Sequence, residues 1–475
     1  MSPRRSYRTE RAHADLSGAR VTVMGLGLFG GGATAARYLA RQGAHVTVTD
    51  QRTAEELAPA RAALADLDLR FVLGGHDVAD FTNADVVVAN PAVDPRSPFL
   101  TAARAAGVRI SSETALFLER CPARIAAVTG TQGKSSTCHT LHQLLVAAGM
   151  PAYLGGNIGH SLLDGAETMR SDDIVVLEIS SYQLDALSDE WIDEVRPRIE
   201  VATVTNVLAD HLERHGTIDA YAAAKRRLLD LTRVHGGRIV LSGEDARLST
   251  WRDESLARID VFVGRPSECG LNLRAGRFWL EGEELGRVDD VRLPGWFQRE
   301  NTLYALGMAR LLGADATRLA RALPDVRALP HRLEDLGLHA GHRVWDNGVS
   351  TTPDSTVAAL LSLAPGCTLV CGGKAKNLPL DELVAVARSR ARHVVTFGAA
   401  ADGLASAFRS GGVDVHAAPT LDDAVALAFE HLREDEELLF SPACASFDAY
   451  LNFKERAHAF RRALPASAPA RIRER

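Results

Sequence analysis

The stretch Ile125-Ala-Ala-Val-Thr-Gly-Thr-Gln-Gly-Lys-Ser-Ser-Thr137 decides how the chain is organised. Its apolar first half suits a buried parallel strand, which meets a turn between Gly130 and Gly133, and a helical pattern begins at Lys134. A strand that feeds a helix through small residues leaves helix N–H groups free. These groups and the positive end of the helix dipole point at whatever lies in the turn. The stretch therefore predicts a phosphate-binding loop.

The loop is a contracted form of the P-loop. The strict pattern has four residues between its first glycine and the Gly-Lys pair, whereas two residues separate Gly130 from Gly133. Lys134 would lie on the terminal phosphates, and Ser135 or Ser136 would ligate the accompanying Mg²⁺. An ordinary glycine-rich turn is the alternative, but Gly-Lys-Ser-Ser at the start of a helix favours phosphate binding.

Length and composition are those of a soluble globular protein with several domains. The chain has 475 residues, which is too many for one hydrophobic core. Its net charge of −6 argues against nucleic-acid and anionic-membrane partners. The sequence contains no run of eighteen apolar residues, and its six cysteines are scattered without paired spacing. We therefore expect a cytoplasmic protein with reduced thiols. We also expect a monomer, although nothing in the composition determines the oligomeric state.

A second nucleotide-type pattern precedes the phosphate loop. The predicted strand Arg20–Met24 is followed by Gly25-Leu-Gly-Leu-Phe-Gly30 and a helix, and a second strand ends at Asp50. Such glycines let a diphosphate approach the backbone, and an acid about twenty residues on meets a ribose or base. Strands at Leu69–Leu73 and Asp85–Asn90 complete an α/β unit. The pattern predicts a Rossmann-like site without deciding which nucleotide it binds, and a structural turn is the alternative.

Polar residues beyond the phosphate loop occupy strand ends and loops. Glu178 closes a hydrophobic strand that begins at Asp173, a position typical of a Walker B acid, with helix capping as the alternative. His211 follows the next strand and is a candidate metal ligand, and Asn157 falls in a glycine-rich loop near the same end. Lys225 lies on an amphipathic helix, and the helical pattern alone predicts a solvated side chain.

Alternating strands and helices predict three successive α/β domains. The central domain would combine a parallel sheet with a small antiparallel sheet, and both outer domains would be Rossmann-like. The predicted segments are an extension at 1–17, a first domain at 18–112, a central domain at 113–328 and a C-terminal domain at 329–475.

Seven motifs follow one another in an order known from one enzyme family. They are Thr129-Gly-Thr-Gln-Gly-Lys-Ser135, Gly155-Gly-Asn-Ile-Gly159, Leu177-Glu-Ile-Ser-Ser-Tyr-Gln183, Asp210-His211, Lys225, Pro330-His-Arg332 and Ser441-Pro-Ala-Cys-Ala-Ser-Phe-Asp448. With this set the chain resembles the Mur ligases, over about residues 20 to 462. Each motif alone is unspecific, whereas the combined set is highly specific.

The resemblance implies an ATP-dependent ligase of peptidoglycan synthesis. It is closest to the members that join glutamate to UDP-N-acetylmuramoyl-L-alanine through an acyl phosphate, with two Mg²⁺ ions. A carboxylate is a poor electrophile, and its phosphorylation supplies a leaving group. The first domain would then bind UDP, and ATP and the amino acid would be contributed by different domains, so domain closure is expected.

The resemblance also implies roles for individual residues. The catalytic and metal-binding set would be Lys134, Ser135, Glu178, His211 and Lys225, the last as a carbamate. The ATP-binding set would be Gly130, Thr131, Gln132, Gly133, Lys134, Ser135, Ser136, Asn301, Arg332 and Asp346. The UDP-N-acetylmuramoyl-L-alanine set would be Leu28, Phe29, Asp50, Arg52, Asn157, Ser181 and Gln183. The glutamate set would be Thr351, Lys376, Ser446 and Phe453.

One loop departs from the family's pattern. Where the family has Asp-Ser-Lys-Ala-Thr-Asn, this chain has Asn347-Gly-Val-Ser-Thr-Thr352. Val349 therefore replaces a lysine, and Asn347 replaces a nucleotide-contacting aspartate. The site could use Lys374 or Lys376 as the cation instead.

The favoured reaction is the addition of D-glutamate. Because the family's lysine is missing, three alternatives stay open. A variant that adds L-glutamate to the same substrate is the main one. A ligase like the folylpolyglutamate synthases is a second, against which the Rossmann-like first domain argues. A non-catalytic nucleotide-binding regulator is a third, against which the retained Lys134, Glu178, His211 and Lys225 argue.

Overall fold

The chain forms two compact units. The computed structural model describes residues 15–27, 31–158, 161–251, 256–263, 269–376 and 378–466. The first unit comprises Met1–Asp290 and Asn301–Leu323, and the second comprises Val291–Glu300 and Pro324–Arg475.

A five-stranded parallel sheet opens the first unit. Its strands are β1 (Arg20–Met24), β2 (His45–Asp50), β3 (Arg70–Leu73), β4 (Val86–Ala89) and β5 (Arg109–Ser111). The helices between them are α1 (Gly31–Arg41), α2 (Ala58–Ala62), α3 (Val78–Thr82) and α4 (Pro98–Ala105). The strand order is β3-β2-β1-β4-β5. The order reverses next to β1, and ligands of open parallel sheets bind at such a point, beyond the carboxyl ends of the strands.

A nine-stranded sheet forms the rest of the first unit. Its strands are β6 (Arg124–Thr129), β7 (Ala152–Gly156), β8 (Ile174–Glu178), β9 (Ile199–Val204), β10 (Arg238–Ser242), β11 (Ala257–Phe262), β12 (Leu271–Arg274), β13 (Arg277–Leu280) and β14 (Glu283–Arg287). The helices of this region are α5 (Glu113–Arg120), α6 (Lys134–Ala147), α7 (Ser181–Asp185), α8 (Asp189–Val195), α9 (Leu212–His215), α10 (Ile218–Arg233), α11 (Trp296–Leu311) and α12 (Ala316–Ala322). The part of α11 that precedes Asn301 belongs to the second unit.

The strand order places β6 between β9 and β8 at the centre of this sheet, in the order β14-β13-β12-β11-β10-β9-β6-β8-β7. The residues of β6, β8 and β9 are almost all buried, as expected of parallel strands covered by helices on both faces. The predicted antiparallel strands are present as β12, β13 and β14, but they extend the parallel sheet instead of forming a separate one, because β12 pairs in parallel with β11.

A six-stranded sheet forms the second unit. Its strands are β15 (Glu334–His339), β16 (His342–Asp346), β17 (Cys367–Gly372), β18 (Ala391–Phe397), β19 (Val415–Ala418) and β20 (Leu438–Ala443). Its helices are α13 (Pro353–Ser362), α14 (Asp381–Arg390), α15 (Ala401–Ser410), α16 (Leu421–His431) and α17 (Phe453–Ala463). The order is β15-β16-β20-β17-β18-β19, and the pairing is parallel except between β15 and β16.

Three sheets with mostly parallel pairing confirm the predicted α/β class. The exact domain boundaries predicted from the sequence stay predictions. Short 3₁₀ segments complete the regular structure, at Leu163–Thr168, Leu248–Thr250, Val288–Asp290, Leu323–Asp325 and Gly398–Ala400. In the described part of the chain, no helix is both long enough and apolar enough to span a membrane.

Candidate functional site

The phosphate loop lies at the carboxyl end of β6, where two glycines turn against close neighbours. Gly130 and Gly133 have φ angles of 147° and 81°, which L side chains rarely adopt. A Cβ on Gly130 would lie 1.9 Å from Oγ1 of Thr205, and one on Gly133 would lie 2.5 Å from Oδ1 of Asn301. Thr205, which follows β9, and Asn301 of α11 therefore leave no room for a side chain at these two glycines.

Hydrogen bonds from the segment after β9 hold the loop in one conformation. The backbone N–H of Thr131 donates to the carbonyl of Asn206 at 3.0 Å, and the N–H of Gln132 donates to Oδ1 of Asn206 at 2.9 Å. The Thr205 hydroxyl donates to the carbonyl of Gln132 at 2.5 Å. Leu208 N–H donates to the hydroxyl of Thr131 at 2.9 Å. The loop is thus braced mainly by side chains that the sequence did not single out.

The amino end of α6 faces into this loop. Its N-cap residue is Gly133, which has no side chain to occupy the first N–H groups of the helix. Ser135 and Ser136 lie half-buried in the first turn. The ammonium of Lys134 donates to the carbonyls of Gly130 at 3.0 Å and Thr131 at 2.9 Å. Helix dipole, N–H groups and ammonium together make a cationic cradle that fits a phosphate chain.

Glu178 ends β8 beside the loop with its side chain buried. Its Oε1 accepts a hydrogen bond from Nδ2 of Asn157 at 2.9 Å, whereas its Oε2 is buried without a partner among the described residues. A buried carboxylate oxygen without a partner costs free energy unless a cation or donor meets it. The alternative of helix capping does not hold, because Ser180 and Gln183 form the capping box of α7. Glu178 therefore fits a Mg²⁺ ligand.

His211 lies in the loop after β9, with its imidazole 45% exposed. Its backbone φ of 53° is in the left-handed region. Its ring nitrogens lie 3.5 Å from carboxylate oxygens of Asp210 and Glu213, and its Nδ1 is 3.3 Å from the hydroxyl of Tyr182. An accessible imidazole flanked by carboxylates fits the role of a metal ligand.

Lys225 is buried, so the solvated side chain that its helical pattern predicts is wrong. The residue is 1% exposed, and its Nζ donates to the carbonyl of Gly130 at 2.8 Å. The same Nζ lies 4.4 Å from the ring centroid of Tyr221. Burial, with a smaller effect from the nearby Lys134 charge, lowers the pKa of the Lys225 amine to about 7. The phosphate loop, Glu178 and Lys225 therefore converge on one place.

The first sheet carries the other predicted nucleotide contacts. Asp50 is nearly buried, with Oδ2 accepting from the N–H of Gly27 at 3.3 Å and Oδ1 accepting from the N–H of Arg52 at 2.9 Å. Asp50 and the glycine turn are therefore adjacent, as the pattern predicts. Leu28 and Phe29 lie outside the described residues.

Two further predicted substrate contacts already have partners within the first unit. The hydroxyl of Ser181 lies 3.1 Å from Nε2 of His215, whose pKa is lowered by burial. Gln183 donates through Nε2 to the hydroxyl of Thr114 at 2.9 Å and accepts from the N–H of Ser180 at 2.8 Å. Their contact with a substrate stays a prediction.

The predicted glutamate contacts lie on loops of the second unit. Lys376 Nζ donates to the hydroxyl of Thr351 at 3.2 Å, which brings the loops after β16 and β17 together. Ser446 is buried in the segment after β20, and Phe453 is the half-buried first residue of α17. Val349, at the position of the family's lysine, is half-buried and donates its N–H to the carbonyl of His331 at 3.1 Å.

Asp346, a predicted ATP contact, is fully buried in a network of the second unit. Its Oδ2 accepts from Nε of Arg461 at 2.8 Å and lies 2.7 Å from Nδ1 of His331, while Oδ1 accepts from the N–H of Gly348 at 2.8 Å. Its carboxylate thus orders the loop that follows β16. Arg332 lies beside this network, directly after His331, whose φ is 63°.

Arg456 is a candidate functional residue that the sequence reasoning missed. Its side chain is fully buried in α17 and donates to the carbonyls of Cys444 at 2.8 Å and Ser350 at 3.1 Å, with longer bonds to Gly348 and Gly372. It thereby ties together the loops that follow β16 and β20 and the last residue of β17. Burial lowers its pKa to about 10. The signal was an arginine at an apolar position of the helical pattern.

These features define an enzyme of the nucleotide-phosphate-binding α/β class. Similarity to known proteins identifies its family. The model of the Mur ligase middle domain matches residues 128–309, and that of the Mur ligase MurD-like N-terminal domain matches residues 19–112. The UDP-N-acetylmuramoylalanine–D-glutamate ligase of Geobacter metallireducens is 36% identical over 461 residues, covering 95% of this chain and 98% of the relative. The chain belongs to the Mur ligase family.

Solved structures agree on the fold. The UDP-N-acetylmuramate-alanine ligase MurC of Thermotoga maritima superposes with a TM-score of 0.60 at 19% identity, covering 94% of this chain and 98% of that one. The MurF ligase of Thermotoga maritima in complex with ADP gives a TM-score of 0.54 at 16% identity, covering 94% and 95%. At these identities the likeness concerns the fold alone.

Proposed function

We propose that this chain is an ATP-dependent ligase that joins glutamate, with the D enantiomer favoured, to UDP-N-acetylmuramoyl-L-alanine in peptidoglycan precursor synthesis. The observation that carries the proposal is the convergence of the phosphate loop, Glu178 and Lys225 in a chain of this family. The name of the Geobacter relative supports the choice of substrates. We place the reaction in the cytoplasm and expect a monomer, and six free cysteines fit a reducing compartment.

The reaction has two chemical steps. The carboxylate of the substrate's alanine attacks the γ-phosphorus of ATP, which breaks the bond to ADP and forms an acyl phosphate. The amine of glutamate then attacks the acyl carbon, the amide bond forms, and inorganic phosphate and a proton leave. In the first step the transferring phosphoryl group carries negative charge, and in the second step negative charge develops on the acyl oxygen and on the departing phosphate. Catalysis therefore depends on positioned cations and N–H donors.

The phosphate loop supplies the first set of donors. The N–H groups at the start of α6 would bind phosphate oxygens, and the Lys134 ammonium would neutralise their charge. Asn301, which lies against Gly133, would orient the nucleotide at this end of the loop. Thr205 and Asn206 act by holding the loop.

Two Mg²⁺ ions would be held by Ser135, Glu178, His211 and Lys225, and bound Mg²⁺ supplies further stabilisation of phosphoryl charge. The orphaned Oε2 of Glu178 supports its role as a ligand. Asn157 orients that carboxylate through the bond to Oε1.

Lys225 would contribute to the metal site as a carbamate. An amine adds to CO₂ only when it is unprotonated, and a pKa of about 7 leaves a large neutral fraction at neutral pH. The Nζ would form the new N–C bond and lose a proton, and the resulting carboxylate would place a negative charge next to Gly130 and Glu178. An ammonium at that place would repel metal.

Substrates would reach the remaining loops of each unit. Asp50, Arg52 and the glycine turn would bind the uridine diphosphate, in keeping with the switch point of the first sheet. Thr351, Lys376, Ser446 and Phe453 would bind glutamate. Lys376 donates a hydrogen bond to Thr351, two residues after Val349. This contact supports the proposal that Lys376 replaces the cation that is missing at Val349.

The direct test is an assay with purified chain. UDP-N-acetylmuramoyl-L-alanine and Mg-ATP are incubated with D-glutamate or L-glutamate, and phosphate release and product mass are measured. We expect ligation with D-glutamate, and none in Lys134→Ala. If product formed only with L-glutamate, the assigned amino-acid substrate would be L-glutamate instead of D-glutamate. The absence of phosphate release with either enantiomer would refute the proposal.

A further inference from the structure

Three histidines and an aspartate of the second unit lie together at the amino ends of two neighbouring strands. These residues, the histidine cluster, are His393 near the start of β18, Asp414 directly before β19, His416 in β19, and His431 at the end of α16. Asp414 is more than half exposed and His393 is nearly buried. The cluster therefore lies where the surface meets the core.

The fold itself brings the imidazoles to one face. His393 and Val395 point to the same side of β18, because side chains alternate along a strand. The register pairs Val395 with His416, so the His416 side chain lies on that side too. The same face carries the apolar core beneath α16, including Val395 and Ala418. Because α16 runs back to the amino ends of the strands, its last residue, His431, arrives at the two histidines.

The distances within the cluster show that its four side chains contact one another. Nδ1 of His393 lies 2.6 Å from Oδ2 of Asp414, and Nε2 of His416 lies 3.7 Å from Oδ1 of the same carboxylate. One ligand atom from each of these three residues lies within 4.8 Å of the others. The His431 ring stacks on that of His416 with centroids 4.2 Å apart, and its centroid is 5.6 Å from that of His393.

We propose that the histidine cluster binds a divalent transition metal, with Zn²⁺ as the preferred ion. His393, Asp414 and His416 would be ligands, and His431 would complete a four-coordinate site after a rotation of its ring. Zn²⁺ binds imidazole and carboxylate at about 2.0–2.2 Å, which places the ligand atoms of a tetrahedral site about 3.3–3.6 Å apart. On binding, the hydrogen-bonded atoms of His393 and Asp414 would therefore move apart, and those of Asp414 and His416 would move slightly closer. Mg²⁺ prefers oxygen ligands and would not compete for this site.

A second group of similar composition in this unit does not make a cation site. His331, Glu334 and Asp346 also place ligand atoms within 4.8 Å of one another. However, the guanidinium of Arg461 donates to both carboxylates of that group. In the histidine cluster no arginine or lysine among the described residues forms an ion pair with Asp414.

The proposed site is separate from the proposed reaction. The cluster lies at the amino ends of β18 and β19, whereas the candidate glutamate loops follow the carboxyl ends of β16, β17 and β20. Metal at the cluster would therefore join two strands and a helix of the second unit without touching substrates. This location predicts that the bound ion stabilises the fold of the second unit and takes no part in the chemical steps.

The test counts Zn²⁺ bound per full-length chain, by equilibrium dialysis in excess Mg²⁺. The wild type is compared with His416→Gln, with Asp414→Asn and with His45→Gln, a control at an exposed histidine of the first unit. We expect both cluster variants to bind one Zn²⁺ fewer than the wild type, and His45→Gln to bind as many. Because a difference in stoichiometry is measured, Zn²⁺ bound at other sites does not obscure the result.

Thermal unfolding provides a second readout. Zn²⁺ should raise the Tm of the wild type, because an ion that binds only the folded state stabilises it. The increase should be smaller in His416→Gln, because that variant lacks a ligand of the proposed site. Ligation with Mg-ATP should be equal in the wild type and His416→Gln, which also shows that the variant folds. Equal Zn²⁺ stoichiometry in all four proteins would overturn the proposal.

Discussion

Among single residues, Lys225 combines a buried amine with a hydrogen bond to the phosphate loop. Its Nζ meets the carbonyl of Gly130 and the face of Tyr221, and no carboxylate among the described residues pairs with it in a salt bridge. The desolvated charge explains the lowered pKa, and the neutral amine is the form that can take up CO₂. Two predictions concern this residue.

Replacing the amine should remove activity that a small carboxylate can restore. Lys225→Ala lacks the proposed carbamate, so we expect the rate of ligation to fall about a hundredfold or more. Acetate or formate should restore part of the rate by entering the space left by the side chain. The measurement is the steady-state rate with increasing acetate, with chloride at equal ionic strength as the salt control. Arg226→Ala, at an exposed neighbour on α10, should behave like the wild type; wild-type activity in Lys225→Ala would contradict the carbamate role.

The lowered pKa also predicts how stability depends on pH in CO₂-free buffer. The native pKa is about 7 and the ordinary value is 10.5. Between these values the unfolded chain holds a proton on Lys225 that the native state does not, so this residue makes stability rise with pH. Below about pH 7 both states are protonated, and its contribution to the slope disappears.

Lys225→Met removes the titrating group and should abolish this contribution. Urea unfolding of the two proteins across the window from pH 7 to 10 measures the difference in free energy of unfolding. We expect the wild type to gain stability relative to the variant as pH rises. A difference that does not change with pH would show that the native amine titrates near its ordinary value.

Among elements of structure, the turn from β6 to α6 shows how local sequence and neighbouring segments share the specification of a site. The strand, the glycine turn and the helix beginning at Lys134 were predictable, because apolar periodicity and positive-φ glycines are local signals. The contacts of the loop with Thr205 and Asn301 were not, since they join residues far apart in the chain.

Adding one methyl group to this turn should therefore disrupt nucleotide binding. In Gly133→Ala the Cβ would lie 2.5 Å from Oδ1 of Asn301, at a φ of 81°. The left-handed backbone alone costs about 1–2 kcal/mol, and the contact forces a further shift of the helix N-terminus. We expect the Kd for ATP, measured by calorimetry, to rise at least about tenfold.

The matched control separates backbone strain from the contact. Gly236 has a φ of 74° with no atom within 4 Å of its added Cβ, so Gly236→Ala suffers the strain without a collision. It should lose stability but bind ATP as the wild type does. If Gly133→Ala bound ATP as tightly as the wild type, the loop would be able to accommodate the added methyl group. The close contact with Asn301 would then not determine how the loop binds phosphate.

At the scale of the whole molecule, the α/β class, the order of elements and the family could be read from the sequence, because strand patterns and motifs repeat in a recognisable order. Side chains at buried positions could not. Lys225 and Arg456 occupy apolar faces of α10 and α17, where pattern alone predicts a solvated lysine or gives no role to an arginine. Their burial depends on backbone carbonyls supplied by distant loops, at Gly130 for the lysine and Ser350 for the arginine.

Arg456 links the architecture of the second unit to its proposed ligand. Its guanidinium holds the loops after β16 and β20, on which Thr351 and Ser446 lie, and the last residue of β17, which leads into the loop of Lys376. Arg456→Lys keeps the charge but cannot reach the same carbonyls, because an ammonium lacks the planar fork of donors. If the two shorter hydrogen bonds, to Cys444 and Ser350, are lost at about 0.7 kcal/mol each, the affinity of the loops for their ligand changes about tenfold. We therefore expect the KM for glutamate to rise about tenfold.

The same substitution should leave the phosphate loop unchanged, since this loop and Arg456 belong to different units, so the Kd for ATP should change much less than the KM for glutamate. Steady-state kinetics give the KM for glutamate, and calorimetry gives the Kd for ATP. Arg462→Lys, at an exposed arginine of the same helix, is the control for the exchange itself and should match the wild type. If the KM for glutamate stays the same in Arg456→Lys, the three loops are held by other contacts. If the Kd for ATP rises in parallel, the substitution is not selective for the amino-acid loops and also disturbs Asp346, the predicted ATP contact beside Gly348, or the protein as a whole. Only a selective effect on glutamate supports Arg456 as the residue that positions the amino-acid loops.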